Sequence, residues 1–210
     1  QAGVDGRYSL DVETDDEDDL ELIRIDAQGI DEQAHILFRS YVNTPEALLS
    51  IGTSLSETDA LRLNVTNVTT AIAGLLNVDN EGDILTPEAL DESMSRIDLT
   101  KVMPYSTALK LIMDGTASGG TFSLPEGVKN TFEFVLNPTL IDAFVSNLEF
   151  NHTADYIAAQ EAILSDPELV DLNVSTEDSI GDYYFLGGDF GVGLGKVSLL
   201  ANGKALYSNS

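Results

Sequence analysis

Three times between residues 44 and 168 the chain repeats one local pattern. A side-chain oxygen is followed by proline and then glutamate, at Thr44-Pro45-Glu46, Thr86-Pro87-Glu88 and Asp166-Pro167-Glu168. Each member suits a helix start. The oxygen accepts a hydrogen bond from a first-turn N–H, proline lacks an N–H that would go unpaired there, and glutamate faces the positive end of the helix dipole. The pattern predicts a helical middle and leaves the two ends of the chain for any sheet.

Between these starts apolar residues recur at helical spacing. The run Thr66 to Asn77 carries Val68, Ile72, Leu75 and Leu76, and Leu99 to Met113 carries Val102, Met103, Leu109, Ile112 and Met113. Pro104 kinks the second run or marks a new start, and Gly115 to Gly120 reads as a flexible break. Further helices are expected over Pro125 to Leu136, Pro138 to Leu148 and Asp155 to Leu164, the first two split at Asn137-Pro138. Helices this short and amphipathic suit an irregular bundle.

The ends alternate instead. Arg7 to Val12, Leu20 to Ala27 and Gln33 to Val42 read as strands, with Asp15 to Asp19 as a hairpin tip that like charges keep in solvent. At the other end Asp182 to Leu186, Lys196 to Leu200 and Lys204 to Tyr207 read as strands, with Asn202-Gly203 as a tight-hairpin signal. The expected class is α+β. Residues 1–43 form a β region, 44–180 a helical region and 181–210 a C-terminal β region, whose strands can join the first set in one sheet. A strand begins and ends the chain, which suggests edges completed by another module or copy.

Charge narrows the function. With 36 Asp and Glu against 10 Lys and Arg, the net charge is -26. Phosphate contacts need Lys and Arg, so nucleic acid is not an expected partner. The 43% of hydrophobic residues is too high for a disordered acidic tail. There is no Cys, which removes thiol catalysis and thiolate zinc sites. No apolar run is long enough for a transmembrane helix.

The strongest chemical motif is the run from Asn77 to Glu88. It has the spacing of a calcium loop between two helices, with oxygen ligands at Asn77, Asp79, Glu81 and Asp83, Gly at the sixth position and Glu88 at the twelfth. Asn77 departs from the Asp expected first. The bland alternative is an acidic turn with Thr86 as a helix cap. His35 and His152 are the only histidines and lie far apart, and no G-x-S-x-G elbow accompanies them. Gly187 to Gly195 lacks both the Lys-Ser/Thr ending and the following helix of a phosphate loop. Tyr183, Tyr184, Phe185 and Phe190 form an aromatic cluster suited either to contact with a partner or to packing within the chain. Four Asn-x-Ser/Thr sequons occur, at Asn64, Asn67, Asn151 and Asn173.

Several segments together resemble a family of uncharacterised proteobacterial surface proteins and lipoproteins, in which a helical region follows a β-sandwich like the carboxypeptidase regulatory domain. They are Gly6 to Leu10, Leu63 to Ala71, Leu124 to Thr131, and Gly181 to Phe185. The resemblance implies export and modular neighbours, and no activity. The lipid-bearing Cys of such lipoproteins is absent from these residues. The expected function is therefore non-catalytic: a structural or interaction module of an exported, cell-surface or extracellular protein, self-assembling or joined to neighbouring modules of one surface assembly. A calcium-dependent binding module and a hydrolase using acidic residues are the alternatives.

Overall fold

The computed structural model describes residues 22–42, 44–45, 64–118, 122–166 and 169 (116–118 by backbone only), and the backbone of 181–186, 194–199 and 205–209. The fold is α+β. It divides into two compact units, Gln1–Val170 and Asp171–Ser210.

In the first unit β1 (Arg24–Gln28) pairs antiparallel with β2 (Leu37–Tyr41), Arg24 opposite Tyr41 and Gln28 opposite Leu37. The second strand is shorter than its apolar run suggests, because Asp31–Gln33 forms a 3-10 turn and the Gly29 N–H reaches the Ile36 carbonyl. The helices are α1 (Asn67–Asp79), α2 (Pro87–Met94), α3 (Val102–Ser118), α4 (Thr131–Val135), α5 (Pro138–Asn151) and α6 (Thr153–Leu164). In the second unit β3 (Gly181–Leu186), β4 (Leu194–Leu199) and β5 (Ala205–Asn209) form an antiparallel meander. Among the described residues the two strand groups are separate sheets, so the single joined sheet is not formed.

Caps explain the helix starts. Thr66 and Thr69 form a capping box on α1, Thr86 caps α2 with Pro87 behind it, and Asn137 caps α5 with Pro138 behind it. Pro104 lies in the first turn of α3, where its missing N–H has no helical partner to lose. The fourth helix starts later than expected, since Gly127 turns the chain at φ +86° and Asn130 supplies the cap. Gly115 does not break α3, which runs on to Ser118, and Gly119 and Gly120 lie outside the described residues. Gly115 instead admits the returning chain: a Cβ there would lie 2.5 Å from the Phe122 carbonyl oxygen.

The core joins α1, α3, α4, α5 and α6 around Tyr105, Leu109, Ile112, Phe134, Ile141 and Leu148, with Ile36 added from the hairpin side. Phe134 meets Phe144 edge to face at 5.4 Å. Of the large apolar residues of α1 only Leu76 is fully buried, with Asn67, Thr70, Ala71, Ala73, Gly74 and Asn77, while Val68, Ile72 and Leu75 are half-buried. Small and hydrogen-bonding residues let α1 lie directly against β2, α3 and α4.

Candidate functional site

The two edges of the hairpin differ. Ladder bonds from Gly29 to Ile36 and from Val42 to Ile23 fix the alternation, so Leu37, Arg39 and Tyr41 turn their backbone groups to the outer side of β2, and Arg24, Asp26 and Gln28 turn theirs to the outer side of β1. Helix side chains close the β2 side. Thr131 accepts from the Leu37 N–H at 2.8 Å and donates to the Leu37 carbonyl at 2.7 Å. Thr70 accepts from the Arg39 N–H at 3.0 Å and donates to the Thr66 carbonyl at 2.6 Å. Two hydroxyls thus stand where a third strand would be. On the β1 side no strand is paired among the described residues.

Along that edge lies an ionic network centred on the buried Arg39, whose partners Asp26, Asp83 and Arg24 are exposed. Arg39, 8% exposed, donates to both Asp26 oxygens at 2.7 and 3.0 Å and to Asp83 at 2.8 Å. Its guanidinium also lies 4.1 Å from the centre of the Phe132 ring. Burial by itself would lower the Arg39 pKa, but the bonds and charges of Asp26 and Asp83 outweigh it and raise the value. Arg24 donates to the other Asp83 oxygen at 2.7 Å, and Asn77 donates to Asp83 at 2.7 Å. The Tyr41 hydroxyl donates to Asn77 at 2.6 Å and accepts from the Ile84 N–H at 3.2 Å. Two arginines and two aspartates cancel, and the loop after α1 is tied to both strands. Beside it an open cleft of about 390 Å³ has Leu22, Arg24, Ile84 and Leu85 in its lining.

This network uses residues expected to bind calcium. Asn77 sits in the last turn of α1 and bonds Tyr41 and Asp83. Asp79 accepts from Arg96 at 2.8 Å, and the hydrogen bonds from Arg96 and Ser93 hold its carboxyl below the usual range. Glu81 is exposed at φ 55°, and Glu88 is exposed in the first turn of α2. The five are not gathered on one point, and no cluster of His, Asp and Glu able to hold a metal occurs among the described residues. The arginines were not legible as partners, since Arg24 and Arg39 lie 59 and 44 residues before Asp83. The available signal was Arg39 itself, a scarce cation inside an apolar strand.

The histidines stay apart in role. The His35 carbonyl accepts from the Thr131 N–H, whereas His152 sits between α5 and α6 without a side-chain capping bond and stacks edge-on against Phe122 at 5.0 Å. Asn67 is buried and donates to the Ser106 carbonyl, so its sequon faces the interior. Tyr183, Tyr184 and Phe185 fall on β3, described by its backbone. Phe190, Arg7 to Val12, Asp15 to Asp19, Asn173, Gly187 to Val192 and Asn202-Gly203 lie outside the described residues, as does most of the stretch opened by Thr44-Pro45. No described helix is long and apolar enough to cross a membrane. Comparison with known protein families, characterised proteins and solved structures found no match.

Proposed function

We propose that this chain is a non-catalytic interaction module of an exported, cell-surface or extracellular protein, and that it works by accepting a strand from another chain or module onto the outer edge of β1. The observation that carries this reading is the asymmetry of the hairpin: Thr70 and Thr131 close one edge, while on the other, where Arg24, Asp26 and Gln28 turn their backbone groups outward, no strand is paired among the described residues. Backbone bonds at such an edge supply affinity, and a neighbouring pocket selects side chains. The cleft at Leu22, Ile84 and Leu85 adjoins the edge and is suited to that second role.

Amide exchange of the purified chain tests the reading. The Arg24, Asp26 and Gln28 amides exchange fast in the isolated molecule and slow down when the partner strand is bound. Slow exchange at all three in a strict monomer would remove its basis. A calcium-dependent version of the module requires Asp79 to leave Arg96, and Asp83 to leave Arg24 and Arg39. Calorimetric titration with calcium, with and without Glu88→Gln, distinguishes that version: a binding heat that the substitution abolishes would support it.

A further inference from the structure

We infer that the strand completing β1 is β1 of a second copy of this chain, paired antiparallel about a two-fold axis at Ile25. This rests on the edge-completion reading above and names its partner. Only registers that place Arg24, Asp26 and Gln28 in hydrogen-bonded pairs are open to this edge. A register centred on Asp26 sets that carboxylate opposite its own copy, which is unfavourable. The register centred on Ile25 sets Arg24 opposite Asp26 of the second copy, and Asp26 opposite its Arg24. Both cross-strand pairs are then opposite in charge, and the surface is complementary to itself, as a two-fold interface requires.

The ends of the strand carry an independent match. Just past β1, Ile30 is 67% exposed on a backbone that is still extended. Beside the other end, Leu85 is 72% exposed in the cleft it shares with Leu22 and Ile84. In the Ile25 register Leu22 lies opposite Gln28 of the second copy, so Ile30 of that copy comes one pleat beyond Leu22. Each copy thereby carries its exposed isoleucine to the side of the other's cleft where Leu22 and Leu85 lie. The product is a four-stranded sheet in the order β2, β1, β1, β2. Its outer edges are the ones Thr70 and Thr131 already close, so growth stops at two copies. The net charge of -26 opposes the association, and salt relieves that opposition.

Sedimentation equilibrium of the full chain, with amide exchange by NMR, tests this. The expected result is a dimer that tightens as NaCl rises, with Arg24, Asp26 and Gln28 protected in it. Ile30→Lys and Leu85→Glu each weaken it by about tenfold or more, while far-ultraviolet dichroism shows both variants folded. Combined in one chain, the introduced charges face each other across the axis and recover most of the affinity. A double variant no tighter than the single ones overturns the register. A monomer whose edge amides exchange fast overturns self-pairing and leaves the edge to another partner. A monomer whose edge amides are slow overturns the parent reading as well.

Discussion

Arg39 shows how one residue can organise a hairpin, a helix and a loop. Its three ionic bonds join Asp26 on β1 to Asp83 after α1, and its plane lies over Phe132 of α4. Arg39→Met keeps much of the stem but leaves two aspartates facing each other. Breaking a fully buried pair from one side costs roughly 3–5 kcal/mol; because Asp26 and Asp83 are exposed and water solvates them when the arginine is gone, the expected loss is about 1–3 kcal/mol. Urea unfolding measures it, and a loss under ~1 kcal/mol would show that water replaces the network freely. A second cluster sets the pH range. The Asp142 carboxyl is raised by burial, but hydrogen bonds from Lys101 (2.8 Å) and Tyr105 (2.7 Å) outweigh this and hold it below its ordinary value. Its stabilising effect is present above the unfolded carboxylate pKa of about 4 and is lost as pH falls through the lower folded value. Tyr105 and Tyr156 behave oppositely. Burial first, then the charges of Asp142 and Glu149, push both up to about 12. Their contribution is complete below the unfolded value near ~10 and fades as pH rises towards the folded value. The urea midpoint should therefore form a plateau with an acid and an alkaline shoulder, and Tyr105→Phe should shrink the alkaline one. An alkaline shoulder unchanged in that variant would assign it elsewhere.

At the scale of elements, hydroxyls take the place of strands and glycines set helix contacts. Thr131→Val keeps the shape but strips both outward groups of Leu37 of their partner, and Thr70→Val does the same to the buried Arg39 N–H. Each should cost about 1–3 kcal/mol, as buried polar groups left unpaired do. Equal stability in either variant would mean that water closes that edge instead. Gly74 lies against α4, where a Cβ would come within 2.5 Å of Val135 Cγ2. Alanine favours helix by about 1 kcal/mol, yet overpacking costs about 1–3 kcal/mol. Gly74→Ala should therefore destabilise, and Val135→Ala in the same chain should recover part of the loss; a more stable Gly74→Ala would show that α1 and α4 separate easily. These contacts also explain what was legible beforehand. Helix starts were readable because Thr86-Pro87 and Asn137-Pro138 act within a few residues. The start of α4 was not, because Gly127 makes a turn inside a stretch, Pro125 to Leu136, whose proline and glutamate read as the start of one helix. The loop at Asn77 to Glu88 was visible as acid at regular spacing. Its use was hidden because its cations come from β1, β2 and the residues after α2, and pairing over such distances leaves no periodic trace.

At the scale of the whole molecule the ion pairs cannot balance the charge. Ten basic residues face 36 acids, so 26 negative charges stay unmatched even if every cation is paired. Arg39, Arg24, Arg96 and Lys101 tie elements together, whereas Lys110 pairs with Asp114 within α3, and acids such as Glu88 and Glu161 remain on the surface. Salt therefore acts in two directions. It weakens the exposed pairs, which contribute about 0–1 kcal/mol each, and it screens repulsion summed over the whole surface. The screening length falls from about 30 Å at 0.01 M to about 3 Å at 1 M, so the many distant repulsions are lost first. The Arg39 pairs, buried on the arginine side, are screened less than the fully exposed ones. Repulsion should win, and the melting temperature should climb steadily from ~0.01 M to ~0.5 M NaCl. Glu88→Gln and Glu161→Gln separate this from a general solvent effect, because each should raise the melting temperature more at low salt than at high. A melting temperature that falls with salt would mean that local pairs, and not the summed field, govern the stability of this acidic chain.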